Sequence, residues 1–219
     1  VNYDAGSAVA FQSDRDGDFE IYVMAPDGSR ERRLTSNPAD DLYPDWSPDE
    51  RSIVFVSDRD GNRELYVMKA DGSDVRRLTD DPAADDAPAW ASNVRLHGGS
   101  EIAFDSNRNR NLDIYSILPD GSNLRRLTDD PNRDFGPAWS PDGTRIVFVS
   151  DRDGDSEIYV MNADGTGQTR LTEAPGEDGA PAWSHDGRRI TFTSDRDGQD
   201  QRYSMNADGS GQVVTGTVP

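Results

Sequence analysis

Pro137-Ala138-Trp139-Ser140-Pro141-Asp142-Gly143-Thr144-Arg145-Ile146-Val147-Phe148-Val149-Ser150-Asp151-Arg152-Asp153-Gly154 decides the fold, because almost every other segment repeats part of it. Ile158-Tyr159-Val160-Met161, Ala163-Asp164-Gly165 and Arg170-Leu171-Thr172 complete the unit. The serine ahead of each Asp-Arg-Asp-Gly or related turn recurs at Ser13, Ser57, Ser106, Ser150 and Ser194, at intervals of 44, 49, 44 and 44 residues. A period of about 40–45 residues carrying four short strand signals is that of a propeller blade.

Within one period, a short run around Trp139 ends in Ser-Pro-Asp-Gly, where Pro presets φ and Gly supplies positive φ. Ile146-Val147-Phe148-Val149 follows, apolar on both faces of the pleat, as in a strand sandwiched between neighbouring sheets. Ile158-Tyr159-Val160-Met161 is a third strand and Arg170-Leu171-Thr172 a polar outer edge. These are strands a, b, c and d. The prediction is an all-β, five-bladed β-propeller of four-stranded antiparallel blades. It is a single domain over residues 1–219, with blades near 1–36, 37–80, 81–129, 130–173 and 174–219.

Blades two and four follow the consensus. The third replaces the tight a–b turn with residues 91–100, which lengthens its interval, and changes its b–c turn to Asn107-Arg108-Asn109-Arg110. In the first, strand a is expected upstream, with Tyr3 near the place of a Trp. The ring then closes by packing blade five on blade one. A clasp supplied by the tail after Thr215 is the other closure, less favoured because Gly216-Thr217-Val218-Pro219 has no aromatic anchor.

With 33% hydrophobic residues and a formal net charge of -19, composition alone leans towards a solvated chain, but stacked blades bury the same few apolar positions repeatedly. The acidic balance argues against nucleic acid and favours a cation, a basic peptide or a basic protein surface. No run approaches a membrane span, and the first residues do not resemble a signal peptide. Zero Cys excludes a disulfide framework and thiol chemistry.

Trp-Ser-Pro-Asp-Gly, Ile-x-Phe-x-Ser-Asp-Arg-Asp-Gly, Ile-Tyr-Val-Met, Asp-Gly and Arg-Leu-Thr, repeated along the whole chain, resemble the WD-like repeat of TolB-type β-propellers. The resemblance implies a periplasmic or extracellular bacterial scaffold that binds protein or peptide partners and carries cations in its axial channel. TolB itself has six repeats and a further α/β domain, where this sequence has five repeats alone, so a general binding role is what carries over.

Successive loops alternate faces, so b–c and d–a loops share one side of the ring. There Asp41, Asp85, Asp134 and Asp178 each lie three residues before a Pro and are expected to gather at the channel mouth. Two readings stay open: solvated carboxylates that accept backbone hydrogen bonds, or an oxygen-liganded cation such as Ca2+ on the axis. No cofactor is otherwise required. A second acidic set, Asp14, Asp16, Asp18, Asp58, Asp60, Asp151, Asp153, Asp155, Asp195 and Asp197, lacks the spacing of an EF-hand and reads as turn structure. Arg15, Arg59, Arg108, Arg152 and Arg196 are expected to pair with carboxylates, with Glu20, Glu64, Asp113 and Glu157 on strand c as candidates.

Trp46, Trp90, Trp139 and Trp183 occupy identical repeat positions and read as packing between blades. His97 and His185 fall in non-adjacent blades and form neither a metal cluster nor an acid–base pair. No Gly-x-Ser-x-Gly elbow or phosphate loop is present. The leading expectation is a monomeric, non-enzymatic scaffold that presents its acidic face to a protein or peptide partner, with no nucleic acid and no membrane insertion. The alternatives are a cation-dependent carbohydrate lyase or hydrolase using channel carboxylates, and a designed or reconstructed repeat array with no evolved partner.

Overall fold

An uninterrupted apolar strand needs cover on both faces, and the structure supplies it one blade at a time. The computed structural model describes residues 8–92 and 100–217. Tyr3, His97 and most of the long loop of the third blade fall outside them. The described residues are all β: five antiparallel sheets follow one another as the blades of a propeller.

The first sheet holds β1 (Val9–Ser13), β2 (Glu20–Met24) and β3 (Arg32–Arg33). The second holds β4 (Asp41–Trp46), β5 (Ser52–Ser57), β6 (Glu64–Lys69) and β7 (Arg76–Arg77). The third is β8 (Asp85–Trp90), β9 (Ile102–Ser106), β10 (Asp113–Ile117) and β11 (Arg125–Arg126). The fourth is β12 (Asp134–Trp139), β13 (Arg145–Ser150), β14 (Glu157–Asn162) and β15 (Thr169–Arg170), and the fifth β16 (Asp178–Trp183), β17 (Arg189–Ser194), β18 (Gln201–Asn206) and β19 (Val213–Thr217). Each is a simple meander, so the strands pair in chain order. The tail strand β19 completes the fifth sheet by pairing with β18.

Strand a is not a regular ladder. In β4 the register runs Asp41↔Ser57 and Leu42↔Val56, then slips to Asp45↔Val54, and the same slip recurs in β8, β12 and β16. The proline after the slip has no amide to donate, and the residue before it is left-handed: Tyr43 (φ 50), Ala87 (φ 48), Gly136 (φ 61) and Ala180 (φ 47). A bulge leaves an amide outside the ladder, and two of these find side chains on the preceding blade. Tyr43 N donates to Gln12 Oε1 at 2.7 Å and Gly136 N to Asp105 Oδ2 at 2.9 Å.

The hydrophobic clusters coincide with the seams between blades. Val54, Val56, Leu65 and Val67 of the second blade meet Trp90, Ile102, Phe104, Tyr115 and Ile117 of the third. Val147, Val149 and Ile158 of the fourth meet Ile190, Phe192, Tyr203 and Met205 of the fifth. Burying one such side chain is worth about 1.5–3 kcal/mol, so a few positions repeated over four seams hold the stack together.

The last blade departs from this pattern on its far side. Where the fourth blade carries Val147, Val149, Ile158, Val160 and Leu171, the fifth carries Thr191, Thr193, Arg202, Ser204 and Thr215. Arg202 and Thr215 are exposed, and Ser204 is covered by Arg189, whose Nε donates to its Oγ at 2.8 Å. Among the described residues no strand of the fifth sheet lies against one of the first. At the other seams the contacts run through strand a of the following blade, and in the first blade that strand falls within residues 1–7, so the expected closure of blade five on blade one lies outside the described residues; what they show is a far side of the fifth blade that is polar.

That polar face can be made apolar by sequence. Replacing Thr191, Thr193, Arg202 and Ser204 with Val, Val, Ile and Val gives it the apolar residues of the other blades and is expected to cause concentration-dependent association in size-exclusion chromatography with light scattering beyond that of the parent chain. A variant that associates no more than the parent contradicts a solvent-facing far side.

Candidate functional site

The expected common face of the b–c and d–a loops is present. Asp40 N donates to Asp58 Oδ1, Ala84 N to Asn107 Oδ1 and Glu177 N to Asp195 Oδ1, so each d–a loop is tied to the b–c turn of the blade it enters. The approach is closest at Gly176 (φ +108), where an added Cβ would fall 2.3 Å from Asp195 Oδ1.

The four rim aspartates begin strand a and are buried, at 0% exposure for Asp41, Asp85 and Asp134 and 1% for Asp178. Each faces a guanidinium of the b–c turn: Arg59 reaches Asp41 at 2.9 Å, Arg108 reaches Asp85 at 2.7 Å, Arg152 reaches Asp134 at 3.0 Å and Arg196 reaches Asp178 at 2.7 Å. The register explains the choice of partner. Asp41 lies opposite Ser57, and Arg59 follows that serine by two residues, on the same side of the strand. Its Nε also donates to Ser57 Oγ at 2.9 Å, and its Cζ sits 5.4 Å from the Phe55 ring and 4.7 Å from that of Tyr66. The same unit recurs at Arg108, Arg152 and Arg196.

The expected pairing of these arginines with strand c is thus corrected. The strand c acids belong to arginines of strand d: Arg33 with Glu20 at 2.5 Å, Arg77 with Glu64 at 2.7 Å, Arg126 with Asp113 at 2.8 Å, and Arg170 with Glu157. Thr79 Oγ1 adds a hydrogen bond to Glu64 Oε2 at 2.6 Å and accepts one from Leu65 N at 3.0 Å. Both charge sets are internal braces. Among the described residues no three Asp, Glu or His side chains come together to hold a metal ion.

The second acidic set divides. Asp58 and Asp195 brace d–a loops, and Asp151 takes an ion pair from Arg133 at 2.6 Å. Asp16 Oδ2 accepts from Tyr22 Oη at 2.6 Å, and Asp60, Asp153 and Asp197 accept from Tyr66, Tyr159 and Tyr203. Burial and the Asp60 carboxylate raise the Tyr66 phenol far above its usual range. On the opposite face Asp27, Asp71, Asp120, Asp164 and Asp208 each bond the Ser or Thr two residues on, which lowers their proton affinity.

The four tryptophans lie in or against the seams, as expected of packing residues, with each indole Nε1 buried and without a hydrogen-bond partner. His185 is exposed on the a–b face, beside Arg145 and Asp186 in a shallow cleft of about 310 Å3.

With this repeat geometry in hand, the comparisons with known proteins are direct. The family description "TolB beta propeller domain" matches residues 4–96, 84–167 and 133–217. The chain belongs to the TolB β-propeller family. TolB from Acinetobacter baumannii superposes with a TM-score of 0.84 at 20% identity, over 96% of this chain and 52% of that one. A putative TolB from Agrobacterium tumefaciens gives 0.76 at 23% identity, over 94% and 79%. An oligogalacturonate lyase in complex with manganese gives 0.72 at 14% identity, over 98% and 63%. At these identities the likeness is one of fold, and the chain spans about half the length of the Acinetobacter TolB. A search of curated protein sequences gives no significant match.

One buried group of this TolB-type propeller lies outside both braces and escaped the sequence reading. Asp105, on β9, is 5% exposed and accepts the bulge amide of Gly136 from the next blade. Burial pushes its carboxyl up to about 6, and nearby Asp86 and Asp85 push the same way. The only signal in sequence is a charged residue where Val56 and Val149 stand in other blades.

A carboxyl that binds its proton more tightly in the folded chain stabilises the fold fully below the unfolded value near 3.8, and that contribution is lost as pH rises through about 6. Asp105→Asn keeps an acceptor for Gly136 and removes the titration. Its stability relative to the parent is expected to grow between pH 4 and pH 7 by on the order of 2–3 kcal/mol in urea denaturation. A difference independent of pH contradicts the assignment.

Proposed function

We propose that this TolB-type propeller is a non-enzymatic, monomeric scaffold that binds a protein or peptide partner of basic character through the side formed by its b–c and d–a loops. The observation that carries this reading is how the acidic residues divide. Apart from Asp105, the buried carboxylates of strands a and c are neutralised by arginines within the blade, and Asp27, Asp71, Asp120, Asp164 and Asp208 on the opposite face serve turns. On the b–c side Asp80 stays 87% exposed even though Arg77 touches it, and Asp129, Asp155 and Asp200 are exposed as well. Surface charge of one sign on one side of a rigid ring raises the encounter rate with an oppositely charged partner.

The four strand a aspartates act in this reading as braces, each buried against a guanidinium, in place of both open readings, a solvated turn carboxylate and a ligand of an axial Ca2+. No helix of the described residues is long and apolar enough to cross a membrane. The periplasmic or extracellular setting is taken over from TolB-type scaffolds. The fold is shared with a manganese-bound lyase, which keeps a carbohydrate-directed activity as the rival reading.

Charge reversal separates the two sides. With a partner isolated by cross-linking from bacterial envelope extract, Asp80→Lys, Asp129→Lys and Asp155→Lys together are expected to weaken binding by about tenfold or more at low salt, while Asp71→Lys and Asp164→Lys leave it unchanged. Equal effects from both sets contradict the proposed face. EDTA-sensitive turnover of oligogalacturonate contradicts the non-enzymatic reading.

A further inference from the structure

The four rim aspartates are not equivalent. Arg59 donates to both oxygens of Asp41, and Asn37 Nδ2 adds a bond to Oδ2 at 2.7 Å. Arg108 and Arg152 likewise engage both oxygens of Asp85 and Asp134. Asp178 is held by Arg196 through Oδ2 alone, and its Oδ1 is buried without a hydrogen-bond partner. A buried carboxylate oxygen left unpaired is costly, so a native structure that retains one calls for a reason.

Asp178 lines a cleft of about 320 Å3 built from the fourth and fifth blades, together with Phe135, Ser156, Glu177, Gly179, Thr193 and Asp200. Departures from the repeat open it. Gly179 stands where the other blades have Leu42, Asp86 and Phe135, and Thr193 where the second and fourth have Val56 and Val149. Ala174 stands where Asn37 supports Asp41 in the second blade. Space, a hydroxyl and an unpaired carboxylate oxygen therefore coincide in one cleft.

We propose that this cleft receives the side chain of a lysine or arginine presented by the partner. Glu177, Asp178 and Asp200 give the cleft a negative lining complementary to a cationic head, and the Phe135 ring matches its alkyl stem or the charge itself. Phe135 already takes a cation on its ring, with Arg133 Cζ at 5.4 Å from the centroid. A metal ion is a poorer fit, since no three acidic groups of the described residues are placed to ligate one. The inference rests on the protein-binding reading and adds the chemistry of the contact.

The test is a 15N NMR titration with acetyl-Gly-Lys-Gly-amide and, as the uncharged control, its norleucine counterpart. The lysine probe is expected to give saturable shifts centred on the amides of Gly179, Thr193 and Asp200, and the control none. Gly179→Leu fills the cleft. It is expected to fold, because an added Cβ meets only Thr193 Oγ1 at 3.5 Å, and to weaken the lysine probe by about tenfold or more. Asp200→Asn is expected to act in the same direction without touching a buried group. Shifts spread over exposed acids of both faces, or unchanged in Gly179→Leu, overturn the site. If instead the titration succeeds while charge reversal leaves the whole partner bound, the cleft stands and the choice of face falls.

Discussion

One guanidinium in each of the second to fifth blades organises the inner half of this propeller. In the fourth, Arg152 leaves the b–c turn, donates to Ser150 at 2.8 Å, meets both oxygens of Asp134 and lies 4.6 Å from the centroid of the Tyr159 ring. Those contacts join strands a, b and c at the point where β12 enters the ring. The carboxylate is fully buried, and a charge withdrawn from water is tolerable only with a well-oriented partner. The aromatic pair beneath it, Phe148 and Tyr159, faces the preceding blade, so the same cation also lies over a seam.

This arrangement explains how so acidic a chain builds a core. Part of the excess carboxylate is spent inside, as braces from strand a to the b–c turn and from strand c to strand d. The rest lies outside, where turns hold one portion and the b–c side displays another. The stack also has a direction. Apolar faces meet at each seam between described sheets, and the far side of the fifth blade turns to Thr, Arg and Ser. The same change, at Gly179 and Thr193, opens the cleft beside Asp178. The polar far side and the candidate recognition site thus share one local departure from the repeat.

Much of the fold is legible in the sequence, because period and strand chemistry agree. Ile146-Val147-Phe148-Val149 can only be a strand covered on both sides, and the serine spacing counts the blades. That Asp41, Asp85, Asp134 and Asp178 stand at the same place in strand a is legible as well. Their partners are not, since two arginine sets lie within reach of two acid sets and only the pairing register assigns Arg59 to Asp41 and Arg77 to Glu64. The polar far side is legible as a pattern: Ile190-Thr191-Phe192-Thr193 alternates where Ile53-Val54-Phe55-Val56 and Ile146-Val147-Phe148-Val149 run unbroken, the mark of a strand less covered on one face. Asp105 and the bulge amide it serves depend on a contact between blades that no spacing along the chain displays.

The account stands on the pairing of Arg152 with Asp134, and a double-mutant cycle measures it. Arg152→Gln, Asp134→Asn and the double variant are compared with the parent by urea denaturation at neutral pH. Arg152→Gln is expected to cost about 3–5 kcal/mol, because it strands a buried carboxylate, and the double variant to recover about 2 kcal/mol or more relative to the sum of the two. Additivity within about 0.5 kcal/mol would show that the two groups do not depend on each other, and the arginine brace would no longer explain the inner strand.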